Sequence, residues 1–264
     1  MVNYPQKEQY DIEDLIEIVR LLRQPDGCPW DKEQTHASIR MNFIEEVYEA
    51  IEAIDKEDAA LLREELGDVL LQVVFHAQME REAGHFDFQA VCDEVCRKLI
   101  VRHPHVFSTV QADDTETVLN NWEQIKQQTK GQTTYTETLE SVAVSLPALM
   151  RAQKVGKRAA KSGFDFANAT DSFAKLQSEV GELQEAIASG DKKAAAEELG
   201  DLLFCCTNVA RALNLDAEEV LTAATEKFIR RFAKVEAQAK AEEKEMQACT
   251  AEELEAYWQN AKEA

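Results

Sequence analysis

Two sets of carboxylates stand out in the sequence by type and spacing. Glu179-Val180-Gly181-Glu182 is followed by Glu198-Leu199-Gly200-Asp201, and Glu46-Val47-Tyr48-Glu49 is followed by Glu65-Leu66-Gly67-Asp68. Residues three apart on a helix share a face, so Glu179 projects with Glu182, and Glu198 with Asp201. Position 190 is midway between 182 and 198 and also between 179 and 201, and it is a glycine, in Ser189-Gly190-Asp191. An antiparallel helix pair folded there sets Glu182 level with Glu198 and Glu179 level with Asp201. In the first half the same symmetry centres on Lys56-Glu57-Asp58 and gathers Glu46, Glu49, Glu65 and Asp68. Four like charges in one place repel unless something neutralises them. A hard divalent cation does so, and an all-oxygen donor set suits Mg²⁺, with Mn²⁺ as a substitute. A single Glu-x-x-Glu on a chain this acidic reads as a solvated face. Two equally spaced sets about mirror-placed turns favour metal binding instead.

The remaining chemistry must suit that cation. Di-iron helical proteins pair their carboxylates with Glu-x-x-His, but no histidine follows His105. Redox iron is therefore disfavoured, and metal-assisted chemistry on an anionic substrate fits better. Lys227 and Arg231 share one helix face and could grip phosphate oxygens, Arg through its planar fork. Trp258 and Lys262 form a second pair with the same spacing, an aromatic face beside a charge. Taken alone, the first pair is also what an ordinary exposed helix face looks like, and Trp258 could equally anchor a core.

The elements that position these residues are helices. Nine Gly and five Pro among 264 residues, with abundant Ala, Glu, Leu and Lys, favour helix almost throughout. The fold class is all-α, tandem duplicated helical units forming four-helix-bundle-like domains. Helices are predicted near 11–22, 38–55, 59–82, 88–102, 115–130, 146–161, 171–189, 193–213, 217–246 and 251–262. The segment Gln24–Asp31 is full of helix breakers, and His103-Pro104-His105 ends the fourth helix. The motifs recur with a displacement of 133 positions, 46 to 179 and 65 to 198, and Ala53-Ile54 returns in register as Ala186-Ile187. With looser offsets, Lys98 and Arg102 match Lys227 and Arg231, and Trp122 and Lys126 match Trp258 and Lys262. The expected domains are 1–130 and 146–264, with a Gln-, Thr- and Ser-rich linker over 131–145.

Composition narrows the partners. With 29 Lys and Arg against 50 Asp and Glu, the net charge of -21 opposes binding to nucleic acid or an anionic membrane. No apolar run approaches a membrane span, and the start resembles no secretory signal. The six cysteines lack the density of a disulfide scaffold, so a cytoplasmic address is expected.

Glu179-x-x-Glu182 with Glu198-x-x-Asp201, Gly27-Cys28-Pro29-Trp30-Asp31, Arg102-His103-Pro104-His105-Val106-Phe107 and the stretch Ser145–Lys154 together resemble the tandem-domain MazG family of nucleoside triphosphate pyrophosphohydrolases. The resemblance covers nearly the whole chain. It implies a homodimer that hydrolyses a nucleoside triphosphate to the monophosphate and diphosphate with Mg²⁺, with broad specificity in the service of nucleotide-pool house-cleaning. Carried onto this sequence, it implies Glu179, Glu182, Glu198 and Asp201 as catalytic metal ligands. Lys175, Lys227, Arg231, Trp258 and Lys262 match nucleotide-contacting positions, and Asn208, two turns beyond Asp201, is placed to bond base or ribose. Glu46, Glu49, Glu65 and Asp68 form a possible second metal site. Asn208 aligns with Phe75, so the first site lacks that polar contact, and the second half is expected to dominate catalysis. Two alternatives remain at the level of sequence: a non-catalytic acidic scaffold that merely binds cations, and a narrower enzyme for one damaged or deoxy nucleotide.

Overall fold

The computed structural model describes residues 4–108, 114, 117–118, 121–122, 125, 129 and 131–263. Among them the ordered elements are all helical. The chain divides into two compact units, 1–126 and 127–264.

In the first unit α1 (Ile12–Leu22) and α2 (Pro29–Glu33) precede a hairpin of α3 (Arg40–Asp55) and α4 (Ala59–Ala83), followed by α5 (Phe88–Arg102) and α6 (Pro104–Phe107). A capping box at Asp11 opens α1. The buried Asp14 carboxylate holds the N-terminal arm through the Tyr4 hydroxyl at 2.5 Å and the Lys7 ammonium. These bonds lower the Asp14 pKa to about 2, with Lys7 the largest cause. The Gly27-Cys28-Pro29 motif makes a corner in which a Cβ at Gly27 would strike the Leu21 and Leu22 carbonyls. Proline then occupies the first turn of α2, where no amide hydrogen is needed. Arg23 fastens that corner to α4, donating to the Asp31 carbonyl at 2.6 Å and to Glu82 at 2.8 Å. The core lies between α1 and α4: Val19, Ile39, Val74, Phe75 and Met79, flanked by Leu15, Ile16, Leu71 and Phe88.

The second unit holds α7 (Tyr135–Glu140), α8 (Ala148–Lys161), the hairpin α9 (Ala169–Ser189) and α10 (Lys192–Ala212), then α11 (Ala217–Ala241) and α12 (Ala251–Glu263). Among the described residues the hairpin is the most extensive helix pairing, and α8 lies against α10. Gln153 ties α8 to the α10–α11 corner, donating to the Leu215 carbonyl and accepting from the Ala217 amide. A separate core of Val235, Ala239, Tyr257 and Ala261 joins α11 to α12.

Several expectations are refined. The segment expected as a linker contains α7, opened by a capping box at Thr134 and fastened to α8 through Arg158 and Ser141. The helix expected to reach Met246 ends at Ala241, because Glu243 takes a left-handed φ of 56°. A short 3₁₀ turn, Met246–Ala248, follows. Pro104 ends α5 as expected but also opens α6, again from the first turn. The helix expected over Thr115–Lys130 falls largely outside the described residues, as does Lys126.

Candidate active site

Both hairpins turn where the symmetry of the motifs puts the turn. Gly190 caps α9 with φ of 77°, and its counterpart Glu57 also lies in the left-handed region at 53°. The next residue caps the following helix in each case. Asp58 accepts from the amides of Ala60 and Leu61, and Asp191 from those of Lys193 and Ala194. Glycine is the low-strain choice at such a turn, and only the second hairpin has it.

With the hairpins so closed, Glu179, Glu182 and Glu198 offer carboxylate oxygens within 4.8 Å of one another, as do Glu46, Glu49 and Glu65. Asp201 and Asp68 lie outside these tightest groups, yet their charges act on them. The Glu198 pKa is pushed up by burial and then by Glu182, Glu179 and Asp201. Glu46 is pushed up by burial, then by Asp68 and Glu49. Glu65 shifts the same way, from burial and then Glu49. These are the marks of oxygen-rich sites that gain from a cation.

The two clusters differ in depth and in what lies beside them. Glu179 is deeply buried, its side chain 5% exposed, whereas Glu182 is 49% exposed. Lys175 pairs with Glu179 at 2.5 Å and reaches Glu182 at 3.7 Å, and the Ser178 hydroxyl donates to Glu182 at 2.9 Å. Cys205 is buried beside them, its thiol pushed up by burial and then by Glu179.

Two turns along the hairpin, Asn208 is buried on α10. A Cβ on Gly156 of α8 would come within 2.7 Å of Asn208 Oδ1, so a glycine allows this approach. Ser172, missed in the sequence reading, is buried, and its hydroxyl has no hydrogen-bond partner. The midpoint symmetry that pairs 182 with 198 also pairs 172 with 208, and that signal could have found it. In the first unit the corresponding residues are Ile39 and Phe75, both in the apolar core. The second hairpin thus carries polar groups where the first carries hydrocarbon.

The other expected contacts form a separate group. Trp258 packs against Phe228 with centroids 5.2 Å apart, and Lys262 lies over the Trp258 ring at 6.0 Å. Lys227 and Arg231 sit on α11, which packs mainly on α12 and less on α8 and α10. Among the described residues no hydrogen bond or ion pair joins these four to the carboxylates. In the first unit, Arg102 lies over Trp122 at 5.5 Å.

Paired helical hairpins, each with a carboxylate cluster between its helices, define a tandem all-α protein with two candidate oxygen-donor sites. The chain belongs to the MazG nucleotide pyrophosphohydrolase family, whose domain matches residues 34–107 and 168–236 and so spans both hairpins. It is 45% identical over 254 residues to the nucleoside triphosphate pyrophosphohydrolase of Escherichia coli (strain K12), covering 95% of this chain and 97% of that one. The nucleoside triphosphate pyrophosphohydrolase/pyrophosphatase MazG of Thermotoga maritima is 42% identical over 250 residues, 95% of each chain. The protein of the first of these names from Mycolicibacterium smegmatis is 39% identical over 156 residues, 57% of this chain and 47% of its own.

Proposed function

We propose that the protein is a nucleoside triphosphate pyrophosphohydrolase, converting a nucleoside triphosphate and water to the monophosphate and diphosphate, with the second unit carrying the main activity. The observation that carries this reading is the Glu179–Glu182–Glu198 cluster beside Lys175 in a family matched across both hairpins. The donor set is all oxygen, which fits Mg²⁺ or Mn²⁺ held by Glu179, Glu182, Glu198 and Asp201. When bound, such an ion supplies charge neutralisation along the triphosphate and a more acidic water. Glu179 or Glu182 would be the carboxylate that orients the attacking water and accepts its proton. Lys175 supplies positive charge at the phosphates, while Lys227 and Arg231 face the departing diphosphate. Trp258 and Lys262 bracket the nucleotide, and Asn208 bonds its base or ribose. Glu46, Glu49, Glu65 and Asp68 form a second ion site.

The same reading makes the protein a homodimer. Val180, Ile187, Leu199, Leu203 and Phe204 are exposed on the α9–α10 hairpin, and a second copy would cover them as a four-helix bundle. Leu183 and Leu202 of the same stripe are half-buried within the unit. No described helix is long and apolar enough to cross a membrane, and we take the enzyme to be a cytoplasmic house-cleaning one of broad specificity.

Phosphate release from a panel of nucleoside triphosphates and deoxynucleoside triphosphates, coupled through added inorganic pyrophosphatase, tests the activity. Turnover with Mg²⁺ that stops in excess EDTA is expected. Thermal stabilisation by Mg²⁺ without turnover on any nucleotide would instead identify a cation-binding scaffold.

A further inference from the structure

The two carboxylate clusters are duplicates, but their immediate neighbours are not. In the second unit an ammonium sits on the cluster: Lys175 pairs with the buried Glu179 and reaches Glu182. The corresponding position in the first unit is Asn42. Level with Lys175 across the second hairpin is Cys205, and the matching residue of the first is Gln72, whose carbonyl oxygen is buried without a hydrogen-bond partner. At the positions where the second unit has Lys175 and Cys205, the first therefore carries two neutral amides, one with an unused oxygen, and no cation.

A buried carboxylate without a partner is strongly unfavourable, so Glu179 needs a cation at all times. A divalent ion arriving at Glu179 and Glu182 competes for oxygens that Lys175 already holds, and close like charges repel. The ion at the first unit meets no such competitor.

We propose that Lys175 is a built-in counter-ion that a divalent ion must displace from Glu179 and Glu182, whereas the first unit takes its ion without exchange and holds it more tightly. Displacement leaves the ammonium beside a newly bound cation, free to pair with an anion. The positive charge that stabilises the empty site thereby becomes available to a polyphosphate only when the ion is in place. This inference rests on the reading of the carboxylates as ion ligands given above.

Mn²⁺ binding to the full-length, metal-stripped protein, followed by the loss of the free-ion paramagnetic resonance signal without nucleotide, tests it. Two affinity classes are expected, the tighter lost in Glu49→Gln and the weaker in Glu182→Gln. Lys175→Asn should tighten the weaker class about five-fold or more, the lower end of ordinary coupling between sites. Asn42→Lys should weaken the tighter class by a similar factor, and Lys175→Arg should leave both classes as they are. A second readout is acetylation of Lys175 by an N-hydroxysuccinimide ester, followed by mass spectrometry. Its rate should rise several-fold on adding Mg²⁺, relative to the exposed Lys192 and Lys193. Unchanged Mn²⁺ affinity in Lys175→Asn and Asn42→Lys, with the two classes still removed by the glutamate variants, would overturn the counter-ion and leave the ligand reading standing. Unchanged Lys175 reactivity at saturating Mg²⁺ would overturn it as well. Glutamate variants that remove neither class would overturn both.

Discussion

At the scale of single residues, the proposed function puts its weight on the carboxylates, which differ in burial. Glu182 is the open member of its group and Glu179 the buried one. Glu182→Gln removes a ligand charge while keeping shape and polarity, so activity should fall about 100-fold, the usual loss on deleting one transition-state electrostatic contact. Glu49→Gln, at the equivalent place in a hairpin that has the core residues Ile39 and Phe75 where the second has Ser172 and Asn208, should leave most of the activity. The check is kcat/KM for both variants on one nucleotide at saturating Mg²⁺. Equal losses would mean two comparable sites, and a selective loss from Glu49→Gln would reverse the assignment.

At the scale of elements, the hairpin turns and the helix anchors are exposed to direct test. Glu57 adopts the left-handed conformation that Gly190 adopts in the second hairpin. A side chain there costs about 1 kcal/mol relative to glycine, so Glu57→Gly should raise Tm by about 3 °C; a lower Tm would show that the Glu57 side chain contributes more than its strain. The C-terminal half of α4 is anchored by histidines. His36 and His76 stack at 4.9 Å, and Glu80 bonds both His36 and His85 at 2.7 Å. The His76 pKa is lowered by burial and then by His36. The unfolded chain therefore binds the His76 proton more readily than the native one. Stability from this group is full at neutral pH and falls as pH drops below about 6.5 toward the lowered native value. Thermal unfolding at pH 7.5 and 5.5 should show the loss, and His76→Gln should flatten the difference; an equal acid loss in the variant would place the effect elsewhere.

At the scale of the whole molecule, the exposed apolar residues of the second hairpin set the expected assembly. Ile187 is 64% and Leu203 50% exposed, and an apolar stripe of this kind is a usual mark of an interface. Leu203→Glu would be nearly neutral on a monomer surface, within about 0.5 kcal/mol. On a dimer it should halve the mass seen by light scattering and reduce turnover with it. A wild-type mass of one chain at micromolar concentration with Mg²⁺ would remove the dimer from the account.

Much of this was legible in the sequence. The all-α class follows from few Gly and Pro among abundant helix formers, and the duplication from motifs that recur 133 positions apart. The two hairpin turns and the convergence of Glu179, Glu182 and Glu198 follow from spacings along helices, where three or four positions set which side chains meet. The turn at 190 is legible because local backbone chemistry, a glycine followed by a capping Asp, carries it. Burial, by contrast, is not written in spacing. Lys175 and Glu179 lie one turn apart on α9 and their pairing is local, but only the folded hairpin buries Glu179 and sets Asn208 against Gly156. Helix-to-helix approach depends on residues far apart in sequence, as Arg23 reaching Glu82 across 59 positions illustrates. Neighbouring spacings cannot express it. Burial follows the same rule. Ser172 and Ile39 are equivalent in the duplication, yet one is an unpartnered hydroxyl inside α9 and the other core hydrocarbon at the cap of α3, because each answers to the side chains that the tertiary fold sets around it.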